Sequence, residues 1–553
     1  MRLEDLSRPP FNLDREALEW VRRTRESLDD QVATAQLFNL NSRDPVDAAE
    51  LARLATLSPG GLTRFFGEDG AAERHALAQI QQQAEVPLLV SADLEGSRMS
   101  LPFGTAVPNP LALAAADDAD LTTEVARLMA QEALSIGVNW AFAPVIDINA
   151  AARSAIVATR GFGSDPERIA RHATAQIAAF EAEGLAATVK HWPGEGYDDR
   201  DQHLVTTVNP LSMTEWQASF GKLYRAAIKA GVRAVMTGHI ALPAYLREKD
   251  PATDDETALL PATISHALNI DLLRGDLGFN GLIVSDASEM AGLTSVVEMV
   301  QAKVEIIKAG CDMVLFSSDP EAEIRAVREA VASGEIPRER FEAALMRVLG
   351  LKASLGLHTG AAQPRLAPEA DTAQAIANRA FAKAPTLVKD RNATLPLDPT
   401  RHRRILVLTP GIIEPMQNAR LPFDLPQMLR KEGFEVTVAP YGTPLDLTGK
   451  DLVLYLFGEE TLLTRGRIFL DWRALHGHFK LSMARPWHQL PTVMISFGYP
   501  YYLYDAPRVP TYINAYATHP AMQAAVLEAL MGRAPFAGSN PVDPFDGAPD
   551  AHL

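Results

Sequence analysis

Short apolar runs alternate with amphipathic stretches of helical period between residues 30 and 357, regularly enough to count. Eight strands are predicted, near Ala35–Leu40, Gly61–Phe65, Pro87–Ala92, Val138–Val145, Ala187–His191, Arg233–His239, Leu282–Asp286 and Asp312–Phe316. The intervals read as helices, one of them Pro166–Glu183, opened by Asp165-Pro166 and closed by Gly184. Strands that are apolar throughout must bury both faces, and eight βα units in a row predict a closed parallel (β/α)8 barrel. An open doubly wound sheet is the alternative, weakened because no G-x-G-x-x-G follows the first strand.

Beyond Leu357 the pattern changes. Residues 358–374 are Ala-rich with two prolines and few large apolar side chains, as in a linker. Five further apolar runs follow, Arg404–Thr409, Phe434–Ala439, Asp451–Phe457, Thr492–Phe497 and Thr511–Ala515, separated by helix-compatible stretches. The expected fold class is therefore α/β: a TIM-type barrel catalytic domain over residues 1–357, then a smaller α/β sandwich domain over residues 375–553. The Pro- and Gly-rich end, residues 534–553, is expected to be an extended tail.

Composition adds limits. The 553 residues are 47% hydrophobic and 22% charged, as in a globular protein with cores to bury. A net charge of -17, with acidic residues scattered along the chain, argues against a nucleic-acid partner. Cys311 is the only cysteine, no apolar run approaches the roughly 20 residues of a membrane span, and the first residues lack the apolar core of a signal peptide. A cytoplasmic location is expected, with no membrane partner.

Chemistry on a (β/α)8 barrel sits where strands end and βα loops begin. The third strand runs into Asp93 and Glu95, the fourth into Asp147, the fifth into Lys190 and His191, the sixth into His239 and the seventh into Asp286. Each alone has a plain reading as a cap, a loop residue or a buried histidine. Their convergence on one rim does not. A metal hydrolase finds little support, because H-x-H on the first strand and H-E-x-x-H are both lacking and Lys190 would repel a cation. Neither metal nor cofactor is expected.

At these positions the chain resembles glycoside hydrolase family 3, and within it the β-N-acetylglucosaminidase branch. Ser91-Ala-Asp-Leu-Glu-Gly-Ser-Arg98 is similar to the family's D-x-E-G-x-R loop, Phe142-Ala-Pro-Val-Ile-Asp-Ile-Asn149 to F-A-P-V-x-D-x-N, Arg160-Gly-Phe-Gly-Ser-Asp-Pro166 to R-S-F-G-x-D-P, and Lys190-His-Trp-Pro-Gly-Glu-Gly196 to K-H-F-P-G-H-G. Gly278 to Met290 resembles the nucleophile strand, and Thr386-Leu-Val-Lys-Asp390 with Leu395-Pro-Leu397 resembles second-domain motifs.

The resemblance implies a retaining, exo-acting glycosidase releasing a terminal β-linked sugar, N-acetylglucosamine first, from a carbohydrate such as a cell-wall fragment. Asp286 would be the nucleophile. The branch uses an Asp-x-His pair as acid/base where other retaining enzymes use a second carboxyl group, and here that pair is Asp201 and His203. An imidazolium can protonate a leaving oxygen near neutral pH, with Asp201 fixing the tautomer. Asp93, Arg160, Lys190 and His191 would surround the sugar hydroxyls, with Asp147 and His239 on the floor and Met290 as apolar lining. Glu195 stands where the branch has His, bringing an acidic group to the acid loop.

Three other functions stay open at this point. A β-glucosidase could take its acid/base from Glu459 or Glu460, after a second-domain strand. A glycoside phosphorylase could use the same nucleophile, since a histidine acid/base does not repel phosphate. A carbohydrate-binding protein on an inactive barrel would require Asp286 or His203 to be displaced.

Overall fold

The computed structural model describes residues 1–43, 47–360, 365–416 and 419–553. Eight strands form one parallel sheet: β1 (Phe38–Arg43), β2 (Gly61–Phe65), β3 (Leu89–Ala92), β4 (Trp140–Ala141), β5 (Thr188–Trp192), β6 (Ala234–Thr237), β7 (Leu282–Ala287) and β8 (Met313–Leu315). Their order is β4-β3-β2-β1-β8-β7-β6-β5. Single bridges from Trp140 to Ala186 and from Val145 to Lys190 bring β4 back to β5, so the sheet curls into a nearly closed barrel.

The strands are buried along most of their length, and β3, β5 and β6 are buried at every position. Both faces are covered, by side chains inside and helices outside, which is why they read as unbroken apolar runs. Strand starts differ by up to three residues from the expectation. Ala35 ends a helix running from Asp30, so β1 begins only at Phe38. The helix Pro166–Glu183 has the expected ends: Asp165 accepts a hydrogen bond from the Glu167 N–H, and Gly184 is left-handed.

A second, mixed sheet lies beside the barrel. It comprises β9 (Thr386–Asp390), β10 (Arg404–Ile413), β11 (Arg420–Leu421), β12 (Glu435–Val438), β13 (Leu452–Glu459), β14 (Thr492–Ser496) and β15 (Thr511–Asn514). The order is β9-β15-β14-β13-β10-β11, with β12 also on β10, and only β9 and β11 are antiparallel to their neighbours. A helix over Ala370–Lys383 starts within the stretch expected to be linker, and residues 361–364 of that stretch lie outside the described residues.

The two layers are joined by a buried carboxylate. Glu460 accepts from Ser97 Oγ at 2.9 Å, Asn109 Nδ2 at 2.9 Å, and both the N–H and hydroxyl of Thr518 at 2.8 Å. The last twenty residues cross back over the barrel: Ser539 donates to the Ala115 carbonyl, Ser164 donates to the Pro541 carbonyl, and Val542 and Ala551 are buried. Among the described residues no helix is long and apolar enough to cross a membrane.

Candidate active site

The polar strand-end residues converge at the C-terminal mouth of the barrel in two linked networks. The first is cationic. Arg160 makes a two-pronged pair with Glu95 at 2.8 and 2.9 Å, and Lys190 lies 2.7 Å from Glu95 and 2.8 Å from Asp93. Burial alone would push the Glu95 carboxyl up, but the Arg160 and Lys190 charges overcome it and hold Glu95 far below the usual range. Asp93, with 42% of its side chain exposed, is the open end of this chain. Glu95 was not among the residues expected to bind sugar. Its task is to fix two cations in place, and the D-x-E spacing of the third-strand loop was the available signal.

The second network centres on Asp147. Its Oδ2 faces His191 Nδ1 at 2.6 Å and its Oδ1 accepts the His191 and Glu195 N–H groups at 3.0 and 2.9 Å. His191 Nε2 is thereby turned toward Asp286 Oδ2, 3.9 Å away. His239 is fully buried. Burial pushes its ring toward the neutral form, and its Nε2 meets the Ala287 carbonyl at 3.0 Å while its Nδ1 meets Thr263 Oγ1 at 2.9 Å. Asp147 and His239, the residues expected on the floor, are engaged with the protein's own groups. Every nitrogen of His239 and both oxygens of Asp147 are taken, and each holds a neighbour of Asp286.

Asp286 ends β7 with its Oδ1 accepting the Ala287 N–H at 2.7 Å. Burial favours the neutral acid, but His191, His239 and His203 around it, with that N–H, hold its carboxyl below the ordinary range. It is an ionised carboxylate in a largely buried site. Met290, four residues on, is buried and caps the short helix Ala291–Thr294.

The loop after β5 brings Asp201 and His203 to the same mouth. Asp201 Oδ1 faces His203 Nδ1 at 2.7 Å and also accepts the His203 N–H at 2.9 Å. This leaves Nε2 for proton transfer. The loop is tied on two further sides: the Ala291 N–H donates to the His203 carbonyl at 3.0 Å, and the Thr464 N–H of the second domain donates to Asp201 Oδ2 at 2.8 Å. Burial would raise the Asp201 carboxyl, yet His203 and the backbone donors, Thr464 among them, hold it down. Thr464 is a site residue that no pattern in the sequence pointed to.

Gly196 opens this loop at φ +112°, with an added Cβ meeting the Ile148 carbonyl oxygen at 1.9 Å, so only glycine fits. Glu195 before it is buried, not displayed on the loop. Gln202 Nε2 donates to its Oε2 at 2.9 Å, and its Oε1 has no hydrogen-bond partner among the described residues. Burial and then the Asp147 carboxylate push Glu195 well above its ordinary 4.5. The acidic group expected on the loop is thus one whose ionisation burial and the Asp147 carboxylate oppose. Between pH 4.5 and its folded-state pKa the native chain holds a proton the unfolded chain has lost, so this group's stabilising contribution falls as pH rises. Glu195→Gln removes that decline: its melting midpoint should rise above wild type's, and the gap should widen from about pH 4.5 upward. Parallel profiles would mean that Glu195 is ionised in the native state.

Asp147, His191 and Glu195 also place their ligand atoms within 4.8 Å of one another, as a metal site does. A cation there would have to break the 2.6 Å hydrogen bond and sit beside Arg160, whose guanidinium lies 3.5 Å from His191 Nε2. The donor set suits a shared proton better than an ion.

The model of the glycosyl hydrolase family 3 N-terminal domain matches residues 35–351. A beta-N-acetylglucosaminidase/beta-glucosidase from Cellulomonas fimi is 39% identical over 99% of this chain and 100% of its own length. The chain belongs to glycoside hydrolase family 3. Among solved structures of the family's two-domain layout, the beta-glucoside phosphorylase BglX is 32% identical, with a TM-score of 0.90 and complete coverage of both chains. A family 3 beta-N-acetylglucosaminidase from Paenibacillus sp. strain FPU-7 is 26% identical, with a TM-score of 0.81 over 94% of this chain and 99% of that one. As a family 3 enzyme the chain is a glycoside hydrolase, and its eight-stranded barrel with a second mixed sheet is the architecture of these neighbours.

Proposed function

We propose that this enzyme releases a terminal β-linked N-acetylglucosamine with retention of configuration, through a covalent glycosyl-enzyme on Asp286. The single observation that carries the reading is the Asp201–His203 pair, hydrogen-bonded at 2.7 Å and seated beside the Asp286 loop. Asp286, kept ionised by its histidines, attacks the anomeric carbon. His203 protonates the departing oxygen, then takes a proton from the water that breaks the intermediate. Asp93, Arg160 and Lys190 supply charge-assisted hydrogen bonds to the sugar hydroxyls.

Against the β-glucosidase alternative, Glu460 is held in the domain interface by Ser97, Asn109 and Thr518, and Glu459 is bound by the Tyr502 hydroxyl. Phosphorolysis is a second reading, favoured by the full-length likeness to a beta-glucoside phosphorylase and by an acid/base that carries no negative charge. Cys311, fully buried with its thiol pushed up to about 12, fits the cytoplasm we expect but does not require it.

One panel tests these readings: 4-nitrophenyl β-N-acetylglucosaminide and β-glucoside, each with and without phosphate. The expected result is phosphate-independent release of N-acetylglucosamine. Sugar 1-phosphate formed only when phosphate is present would replace hydrolysis with phosphorolysis, and turnover of the glucoside alone would overturn the sugar assignment.

A further inference from the structure

The second domain covers only part of the barrel mouth. Its hydrogen bonds there fall on the loops after β3, β4 and β5: Glu460 bonds Ser97, Thr461 the Ala155 carbonyl, Tyr501 the Asn149 carbonyl, and Thr464 Asp201. The loop after β5 in turn lies over β6 and β7, where the Thr207 N–H donates to the His239 carbonyl at 3.1 Å and Thr206 Oγ1 to the Gly292 carbonyl at 2.6 Å. On the remaining side little stands above the strands. β1 ends at Arg43 and its helix starts at Ala48, β2 ends at Phe65 and its helix starts at Gly70, and β8 ends at Leu315 and its helix starts at Pro320. Among the described residues this is the open side: Arg43 is exposed, and Phe65 and Phe316 are half-buried.

Strand alternation turns these side chains toward the mouth. Arg64 pairs with Glu73 of the helix Gly70–Gln83 at 2.7 Å, so it points outward, and Phe65 beside it points to the barrel interior. Two positions before Phe65, Thr63 shares that interior with Asn39 and Ser91: Asn39 Nδ2 donates to Ser91 Oγ at 2.9 Å, and the Thr63 and Ser91 hydroxyls lie 2.8 Å apart. Arg43 continues the Asn39 face of β1, and Asp93 the Ser91 face of β3. Because Thr63 pairs with Ser91, Phe65 stands at the level of Asp93, the open end of the cationic network.

Phe316 completes the wall from β8. Its ring centroid lies 5.7 Å from that of Phe65, and the Arg43 guanidinium lies over the Phe65 ring at 5.1 Å. The Phe316 carbonyl accepts from Ser288 Oγ, two residues beyond Asp286, at 3.0 Å, so the wall adjoins the nucleophile strand. Phe316 holds a φ of +66°, a backbone strain of the kind that gathers at ligand sites.

A sugar with its anomeric carbon at Asp286 and its hydroxyls at Asp93, Arg160 and Lys190 fills the mouth between β7 and β3 to β5. Its leaving group has the open side to depart across. We infer that Phe65, Phe316 and Arg43 form the leaving-group subsite, and that this subsite takes a second pyranose ring, its C–H face on the phenyl rings and its hydroxyls toward Arg43. A phenyl ring rewards contact with a flat apolar face, and a guanidinium supplies donors to hydroxyl oxygens. A pyranose presents both features, an aryl group only the first. The inference rests on Asp286 as the proposed nucleophile and not on which sugar occupies the barrel.

The test compares kcat/KM for a β-linked disaccharide with kcat/KM for the methyl β-glycoside of the same sugar, the sugar being the one the enzyme turns over. The ratio isolates the second ring. In F65A/F316A it should fall about tenfold. F65L/F316L keeps the apolar volume without the flat rings and should lower the ratio less steeply. Arg43→Gln should lower it about threefold. Binding gives a second readout: in D286N, which leaves the disaccharide uncut, calorimetry should show the disaccharide held more tightly than the free sugar, and D286N/F65A/F316A should lose that difference.

An unchanged ratio in F65A/F316A, with both substrates slowed alike, would make the rings a support of the fold and overturn the subsite. So would a disaccharide that D286N binds no better than the free sugar. An unchanged ratio in R43Q would remove Arg43 from it. A chain that cleaved glucosides and no hexosaminide would refute the sugar assignment while leaving the ratio readable on glucosides.

Discussion

Replacing Asp286 by Asn is expected to lower kcat by about four orders of magnitude or more, with the fold and substrate binding kept. The substitution preserves size and the hydrogen bond from the Ala287 N–H, which an amide oxygen accepts as well. It removes the charge that the surrounding histidines stabilise, and with it the nucleophilicity needed to attack carbon. Calorimetric binding of the product sugar should persist, and rapid-quench experiments should show no glycosyl-enzyme. Full turnover by D286N would refute the mechanism at its first step.

His203→Gln has the second largest expected effect, and its signature depends on the leaving group. Glycosides with poor leaving groups need protonation, so their kcat/KM should fall roughly 10²- to 10⁴-fold. Aryl glycosides with good leaving groups should keep much of their kcat/KM. Their hydrolysis should instead stall at the second step, where no base activates water, lowering kcat and KM together. Added azide, which needs no base, should restore turnover. Asp201→Asn should give a milder version of the same pattern, because the histidine remains but its Nδ1 partner no longer carries charge. A uniform loss across all leaving groups would assign His203 a role other than acid/base.

The barrel was readable because its strands bury both faces. Leu282 to Val284 in β7, or Leu89 and Val90 in β3, need no alternation to be recognised, and the polar residues at their ends mark the mouth. What failed to read was structure supported by only one face. β9 was not recognised as a strand: Leu387 is exposed and Lys389 half-buried, so an edge strand looked like a loop. β11, two residues long, carries too few side chains to form a pattern.

In the site, the residues themselves stood in visible motifs, but their environments did not. The sequence shows an acidic Glu195. Only the fold shows it enclosed beside Asp147, where ionisation is disfavoured. Sequence spacing could not reveal that His239 faces the Ala287 carbonyl, or that Thr464 reaches Asp201 from 263 positions away. Such contacts come from loop-to-loop packing, which leaves no local periodicity.

The Thr464 hydrogen bond makes the second domain part of what positions the acid dyad proposed here. A chain whose barrel has formed but whose second sheet stands off by a few ångströms would keep Asp201 Oδ1 on His203 and lose the donor that holds Oδ2, so the dyad would be tied from one side only. Loosening of the second domain would therefore be felt at Asp201 without any change in the barrel strands themselves.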